Sequence, residues 1–247
     1  MGIGGTRILV VGASSGIGRA IAEGALARGA LVAMSARRDE LLATIGTGAE
    51  TRAVPLACDV SDADACAAMV GEAITRLGGL DALVYAAGCY RLVTVADASA
   101  ADWEQAFAVN VIGAAIAVKA ALPALTASRG RAVFLSSEVV RQPRAGVVAY
   151  GTSKAALDHL VLGLRTEVDD VAFTSVVIGA TGDTELGRET PRDTLAQYVQ
   201  QWKRGGFHMA GLMQPSEVAD EVLHVLESNV HVLTVEVQPR PPGGEVG

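Results

Sequence analysis

Three side chains that can handle a proton stand close together in this sequence. The stretch YGTSK carries Tyr150 and Lys154 four residues apart, and Ser137 lies thirteen residues before the tyrosine. Residues four apart on a helix project from the same face, so these two side chains are able to cooperate. A free tyrosine has a pKa of about 10, and a nearby ammonium favours its phenolate form. The spacing indicates an acid/base pair; the simpler alternative is a buried tyrosine and a surface lysine on an ordinary helix.

A glycine-rich turn near the N-terminus indicates a nucleotide site. The apolar run RILVV leads into GASSGIG, in which Gly12, Gly16 and Gly18 follow the pattern G-x-x-x-G-x-G. Glycines let the turn tighten, and they let backbone amides at a helix N-terminus approach a pyrophosphate without a Cβ in the way. Because a strand precedes and a helix follows, this pattern predicts a dinucleotide cradle rather than an ordinary glycine turn.

The residues after the second predicted strand bear on which dinucleotide binds. Enzymes that use the non-phosphorylated cofactor place an acidic residue roughly 20 positions after the glycines, where it holds the ribose 2′-hydroxyl. This chain has SARRDE instead, with Ala36 in the expected place of the acid, followed by Arg37 and Arg38. Two guanidinium groups would neutralise a 2′-phosphate. The pattern therefore predicts NADP(H), while a solvated turn is the alternative explanation for the arginines.

The frame around these residues is predicted to alternate strands and helices. Short β-branched runs are followed by longer alanine-rich amphipathic segments, the pattern of repeated βαβ units. The strands are nearly continuously apolar, as expected when helices cover both faces of a sheet. We predict strands at 7–12, 31–35, 52–56, 80–85, 131–136, 172–178 and 231–236, and helices at 16–28, 62–77, 102–127, 150–168 and 215–228.

The predicted fold class is α/β: a single-domain Rossmann fold with a doubly wound parallel sheet of about seven strands and helices on both faces. We expect one domain over residues 1–240, a substrate loop at about 185–213, and a loose C-terminal tail at 241–247. Half of the 247 residues are apolar, which is enough for one large core.

Charge and cysteine content narrow the classes of partner. A net charge of −7 argues against nucleic acid as a partner. The three cysteines, Cys58, Cys66 and Cys89, neither pair evenly nor fall at zinc-ligand spacing, so we expect a cytoplasmic protein without a metal. The apolar stretch 105–118 is short for a membrane span and contains Asn110, so we expect no membrane partner.

Several motifs occur in one order over nearly the whole chain. They are GASSGIG, CDV at 58–60, YAAG at 85–88, VNVIG with Asn110, LSSE with Ser137, and YGTSK. In this order and spacing the chain resembles the short-chain dehydrogenases/reductases of the Tyr-x-x-x-Lys type. The resemblance implies a catalytic group of Asn110, Ser137, Tyr150 and Lys154, in which Asn110 connects the lysine to solvent through a bound water.

The glycine and arginine patterns together with the resemblance predict which residues bind the cofactor NADP(H). The predicted cofactor-binding residues are Gly12, Ser14, Ser15, Gly16, Ile17, Gly18, Arg37, Arg38, Asp59, Val60, Ala87, Gly88, Tyr150, Lys154 and Thr184. GDTEL and the closing TVEVQPRP are most similar to the branch containing clavulanic acid dehydrogenase and NADP-dependent hydroxy-acid dehydrogenases.

Two stretches depart from the family pattern. Tyr85 and Ala86 replace two asparagines after the fourth strand, and Gly179 with Ala180 stands where the family usually has Pro-Gly.

Substrate contacts are expected from Ser137, Glu138, Tyr150 and Trp202. Glu138 follows the predicted catalytic serine, where it would face a polar or cationic group of the substrate or point to solvent. Further apolar candidates for the pocket are Leu195, Tyr198 and Val199, at helical spacing with Trp202, together with Tyr90, Val139 and Met209. The alternative for the helical stripe is that it only packs its helix onto the domain.

These predictions define two hypotheses for function. The first is an NADP(H)-dependent oxidoreductase that acts on a small-molecule carbonyl or alcohol substrate with Tyr150 as general acid/base. The second is a catalytically retired relative that serves as a nucleotide-binding sensor or scaffold. The resemblance further implies a homodimer or homotetramer, associated through the helices at 102–127 and 150–168.

Overall fold

Seven parallel strands form one sheet in the order β3-β2-β1-β4-β5-β6-β7. The computed structural model describes residues 2–46, 48–49, 51–183, 190–204 and 211–240. The strands are β1 (Arg7–Val11), β2 (Leu31–Ala36), β3 (Ala53–Ala57), β4 (Ala82–Tyr85), β5 (Arg131–Ser137), β6 (Ala172–Ile178) and β7 (Thr234–Val237). The predicted α/β fold is confirmed. The largest boundary difference is in β7, which begins three residues after its predicted start.

Helices cover both faces of this sheet. They are α1 (Gly16–Ala27), α2 (Asp39–Leu42), α3 (Ala63–Leu77), α4 (Ala100–Phe107), α5 (Gly113–Ser128), α6 (Val148–Glu167), α7 (Arg192–Arg204) and α8 (Pro215–Glu227). Five helices were predicted, and one of them, at 102–127, covers most of both α4 and α5. The single-turn α2 was not predicted, and α7 carries the stripe that includes Tyr198 and Trp202.

The strands alternate their side chains between two apolar layers. One layer packs α1 and α8 against one face, through residues such as Ile21 and Val222. The other packs α3, α5 and α6 against the opposite face, with Leu125 and Val161 in its interior. Because both faces are covered, the central strands are apolar at nearly every position.

The strand order reverses between β1 and β4, which lie side by side with Val11 opposite Tyr85. In an open parallel sheet the loops on the two sides of such a reversal diverge, which leaves a crevice beyond the carboxyl ends of the strands. The glycine turn, CDV, YAAG and Ser137 lie at strand ends on this edge.

A π-helical turn, Ala108–Ile112, joins α4 to α5 into one continuous helical segment. The segment 100–128 is long and apolar enough, by length and composition alone, to cross a membrane. Its alanines Ala114, Ala117 and Ala121 are buried in the layer that packs against the sheet. Ser99 begins α4 with a capping box that pairs its side chain with Asp102.

Candidate active site

The glycine turn after β1 is closed tightly against the neighbouring strand. Gly12 has a φ of +91°, and a Cβ there would lie 2.5 Å from the Ala87 nitrogen. A Cβ on Gly18 would lie 2.1 Å from the Gly12 carbonyl oxygen. Neither position admits a side chain without a backbone shift. The turn therefore brings the N-terminus of α1 and its free amides to the crevice, as binding a pyrophosphate requires.

The carboxyl end of β2 supplies positive charge beside this turn. Arg38 donates from Nη2 to the Ser14 and Ser15 hydroxyls, at 3.2 and 3.4 Å, so its guanidinium lies against the glycine turn. Asp59, after β3, accepts hydrogen bonds from the Ser61 amide and hydroxyl. Burial acts to raise the pKa of Asp59, but these hydrogen bonds and the charge of Arg37 outweigh it and lower the pKa. The ends of β2 and β3 thus form one charged corner, the Arg37 corner, which consists of Arg37, Arg38 and Asp59.

The proposed acid/base residues meet where β5 ends against α6. Tyr150 lies in the first turn of α6, and Lys154 one turn later places its Nζ 5.9 Å from the tyrosine ring centroid. The lysine Nζ donates to the Leu135 carbonyl of β5 at 2.7 Å. Ser137 ends the same strand. Strand β5 therefore fixes the lysine through its backbone and supplies the serine two residues later.

Burial governs the protonation of this pair. Burial raises the pKa of Tyr150 to about 12, while the adjacent Ser137 hydroxyl and the Arg144 guanidinium act in the opposite direction. Burial lowers the pKa of Lys154 to about 8, against the raising effect of the Asp158 carboxylate. The tyrosine is therefore held as a proton donor at neutral pH, beside a lysine whose charge is sensitive to mild alkali.

Asn110 lies fully buried in the π-helical turn. Its Oδ1 accepts from the Cys89 amide at 2.9 Å, and its Nδ2 donates to the Cys89 carbonyl and to the Ser153 hydroxyl. A Cβ on Gly88 would lie 3.5 Å from Asn110 Oδ1 and 3.6 Å from Lys154 Nζ. The asparagine and the lysine thus flank one small space that glycine leaves open.

The two departures from the family pattern have local partners. The Tyr85 hydroxyl donates to the Val109 carbonyl at 2.6 Å, so it links β4 to the π-helical turn. Gly179 donates its amide to the Val237 carbonyl, and a Cβ there would lie 2.3 Å from Gln238 Oε1. Glycine at 179 therefore admits the side chain of Gln238 beside the crevice.

Glu138 does not point to solvent, which was one of the two positions predicted for it. Its side chain is buried and pairs with Arg144, whose side chain is also only 10% exposed. The arginine in turn lies over the Trp202 ring, 5.8 Å from the ring centroid. The carboxylate is neutralised within the chain, because leaving it unpaired at this depth would cost several kcal/mol, on the order expected for a buried ion.

The aromatic residues of α7 pack onto the loop that precedes α6. Trp202 donates its Nε1–H to the Ala145 carbonyl at 2.8 Å. The Tyr198 ring fills the space beside Gly146, where a Cβ would lie 2.4 Å from it. Tyr198 and Trp202 are half-buried, whereas Leu195 is 37% exposed. The stripe therefore packs the helix onto the domain, and it does so next to Tyr150.

One crevice of about 1370 Å³ collects most of the predicted site residues. Its lining includes Gly12, Ser14, Ser15, Gly16, Ile17, Gly18, Arg37, Arg38, Asp59, Val60, Ala87, Gly88, Ser137, Tyr150 and Lys154. Asn110 lies beneath it, and neither Glu138 nor Trp202 is part of its lining. Thr184 and Met209 lie outside the described residues. So do 185–189 and 205–210 of the predicted substrate loop, and the tail at 241–247.

The crevice also contains residues that sequence reasoning missed. They are Ser35, Cys58, Ala86, Cys89, Arg91, Leu92, Asp102, Gln105, Leu135, Ser136, Ile178, Thr181, Thr190 and Thr194 among others. Several follow strands directly, so the rule that ligands bind beyond the carboxyl ends of parallel strands would have found them. Those from α4 carry no such signal. Among the described residues, no cluster of His, Cys, Asp or Glu is arranged to hold a metal ion.

The sequence profile of the short chain dehydrogenase family matches residues 6–194. The chain belongs to the short-chain dehydrogenase family. A 2,3-dihydro-2,3-dihydroxybenzoate dehydrogenase from Escherichia coli is 31% identical to this family member over 96% of the chain and 95% of its own length. A glycine betaine reductase from Emericella nidulans is 29% identical over 97% of the chain, which spans only 19% of that longer protein.

Solved structures of the family agree with the fold. A short chain dehydrogenase from Burkholderia cenocepacia, in complex with NADP, superposes with a TM-score of 0.83 at 29% identity. The match covers 96% of this chain and 97% of the other. This short-chain dehydrogenase thus shares the family's fold over nearly its full described length, whereas its similarity to the clavulanic acid dehydrogenase branch stays a prediction.

Proposed function

We propose that this short-chain dehydrogenase is an NADP(H)-dependent oxidoreductase that transfers hydride between the nicotinamide and a carbonyl or secondary alcohol substrate. The observation that carries the proposal is that the glycine turn, the Arg37 corner and the Ser137–Tyr150–Lys154 group line a single crevice. A dinucleotide laid across the strand reversal would have its adenosine end near Arg37 and its nicotinamide end near Tyr150. The NADP-bound relative of known structure supports the choice of cofactor.

In this mechanism the bound nicotinamide supplies or accepts the hydride, and the protein moves the proton. The Ser137 hydroxyl binds the substrate oxygen and holds the carbonyl carbon in position. Tyr150 gives its phenolic proton to that oxygen in reduction and removes it in oxidation. The Lys154 ammonium stabilises the phenolate that remains and then gives it a proton, which restores the tyrosine. A water in the space that Gly88 leaves between Asn110 and Lys154 would return a proton to the lysine.

Replacing Arg37 with alanine tests the cofactor. If Arg37 binds a 2′-phosphate, Arg37→Ala should weaken NADPH binding by about 10- to 100-fold, the range for one charge-assisted hydrogen bond, and leave NADH binding nearly unchanged. Fluorescence titration with each nucleotide measures both constants. Arg76→Ala is the matched control, because Arg76 is an exposed arginine at the end of α3 and does not line the crevice. Equal losses for the two nucleotides would contradict a role in phosphate recognition.

The lowered pKa of Lys154 predicts the pH dependence. A lysine with a pKa of about 8 is charged below that pH and loses its proton as pH rises through it. The rate constant for carbonyl reduction should therefore be steady below pH 8 and fall toward about tenfold per pH unit above it. Stopped-flow measurement of NADPH oxidation between pH 5 and 10 checks this. A Lys154→Met protein should be slow at every pH, and a profile still breaking near pH 8 in that variant would assign the break to another group.

We further propose the substrate region and the state of association. The apolar and aromatic side chains around Tyr150, among them Tyr90, Leu92 and Trp202, favour a substrate with an apolar flank beside its carbonyl. The segment at about 185–213 would cover it as a substrate loop.

Ile112, Val148 and Leu162 are exposed apolar residues on the helices predicted to associate, consistent with a homodimer or homotetramer. The free thiols of Cys58, Cys66 and Cys89 are consistent with a cytoplasmic location.

A further inference from the structure

Tyr85 is a fully buried tyrosine whose hydroxyl reaches a backbone carbonyl beneath the crevice. It ends β4, directly before the turn that carries Gly88. Its hydroxyl donates to the Val109 carbonyl at 2.6 Å. Burial raises the pKa of Tyr85 well above 10, so the hydroxyl stays protonated and remains a donor throughout the working range of pH. The contact ties the sheet to the π-helical turn Ala108–Ile112.

The helix is shaped to accept this hydroxyl. A Cβ on Gly113 would lie 2.5 Å from the Tyr85 oxygen and 2.8 Å from the Val60 carbonyl, so only glycine lets the phenol approach. Gly113 donates its own amide to the Ala108 carbonyl, five residues back, which closes the π-helical turn. Such a turn displaces the regular i to i+4 pairing, and single π-helical turns are frequent at functional sites. Tyr85 supplies the Val109 carbonyl in this turn with a side-chain donor.

The peptide that Tyr85 holds is the one that joins Val109 to Asn110. The Asn110 side chain bridges the Cys89 backbone, after β4, and the Ser153 hydroxyl on α6. Ser153 in turn donates to the Tyr150 carbonyl at 2.7 Å. A rotation of the 109–110 peptide would therefore change how Asn110 faces both the Gly88 turn and the helix that carries the acid/base residues. Tyr85 touches none of the reacting groups itself.

We propose that Tyr85 is a positioning residue, whose hydrogen bond to Val109 holds the π-helical turn so that Asn110 faces the Lys154 ammonium across Gly88. The role rests on the proposed function and deepens it. Without the hydroxyl, proton return through Asn110 and Lys154 slows, whereas the glycine turn and the arginine corner that bind the dinucleotide stay in place.

A double-mutant cycle tests this role. Tyr85→Phe keeps the ring and removes the hydroxyl, and we expect kcat for reduction of 4-nitrobenzaldehyde or ethyl acetoacetate to fall about 10- to 100-fold, as for a misplacement on the order of 1 Å. The dissociation constant for NADPH should stay within about twofold of the original, since none of the cradle residues moves. Asn110→Ala should lower kcat similarly, and Tyr85→Phe should add little in its presence, because the two residues act through one path.

A second buried hydroxyl provides the matched control. Thr174, in β6, donates from its hydroxyl to the Val232 carbonyl at 2.5 Å and does not line the crevice. Thr174→Val should lower the melting temperature as Tyr85→Phe does, while kcat stays unchanged. If Tyr85→Phe fails to fold, Gly113→Ala displaces the same hydroxyl from the helix side and should give the same loss of kcat. The comparison is made at saturating NADPH, because the new methyl would also lie 2.8 Å from the carbonyl of Val60, a predicted cofactor residue.

The outcomes separate the positioning role from the proposed function. An additive loss in the Tyr85→Phe/Asn110→Ala protein, or a Tyr85→Phe protein no slower than Thr174→Val, would overturn the positioning role alone. If the unmodified protein is active and its Tyr150→Phe variant is equally active, the proposed mechanism is overturned instead. If the unmodified protein reduced no carbonyl probe at all, both proposals would fall.

Discussion

The Tyr150→Phe protein should lose carbonyl reduction by about 100- to 10,000-fold while it still binds NADPH. That range is the usual contribution of a positioned general acid, and the ring without its hydroxyl has no proton to give. Tyr150 is buried beside Lys154 and Tyr90, so phenylalanine preserves the packing of the ring. Single-turnover NADPH oxidation with a panel of aldehydes, ketones and β-keto esters measures the loss.

Two further measurements decide what the result means. NADPH affinity, measured by fluorescence titration, should be nearly the same in the two proteins because the glycine turn is unaffected. The Thr174→Val protein should retain full activity, which shows that loss of a buried hydroxyl elsewhere is not sufficient. Unchanged turnover in Tyr150→Phe would sink the mechanism. An unmodified protein that binds NADPH tightly but reduces nothing would favour the sensor or scaffold hypothesis.

The Gly18→Ala protein should bind NADPH about 100-fold more weakly, a loss comparable to one or two charge-assisted hydrogen bonds. The new methyl would lie 2.1 Å from the Gly12 carbonyl oxygen and 2.9 Å from its carbon. These are backbone atoms, so α1 must move away from the turn and carry its amides with it. The same overpacking should reduce the free energy of unfolding by roughly 1–3 kcal/mol. Nucleotide titration and urea denaturation measure the two effects.

Gly71 offers a glycine control in the same fold. It lies near the middle of α3 on the exposed side of the helix, and a Cβ there meets nothing within 4 Å. Gly71→Ala should leave NADPH binding unchanged and raise the free energy of unfolding by about 0.5–1 kcal/mol, the difference in helix propensity. A Gly18→Ala protein that bound NADPH as well as the Gly71→Ala protein would show that the close approach at Gly12 does not shape the nucleotide site.

Local patterns were sufficient for the fold and for much of the crevice lining. Each strand is a short apolar run with glycine or polar residues at its end, and each long helix has its own apolar periodicity, so both can be read from neighbouring residues. Two site motifs are local as well, since each lies within one short stretch of sequence. They are the glycine cradle GASSGIG and the pair Tyr150 and Lys154 in YGTSK. Parallel pairing then brings the strand ends to one edge, which is why motifs far apart in sequence meet there.

Contacts between distant segments were decided by the tertiary structure alone. Glu138 was expected to face substrate or solvent; it does not face solvent but pairs with Arg144, and the distant Trp202 of α7 lies against that arginine. Likewise, the sequence marks Tyr85 only as a departure from the family motif. Its hydrogen bond to Val109 exists because β4 and the π-helical turn pack together, and because Gly113 leaves room for the hydroxyl.

The sequence by itself therefore determined the succession of strands and helices along the chain, the family, and the side chains available to move a proton. The tertiary structure decided which of these residues are buried, how their pKa values shift, and which partners orient them. The physical reason is that residue type and periodicity act over one or two turns of chain. Burial and hydrogen bonding at the crevice instead depend on segments as distant in sequence as Gly12 and Thr194 being packed together.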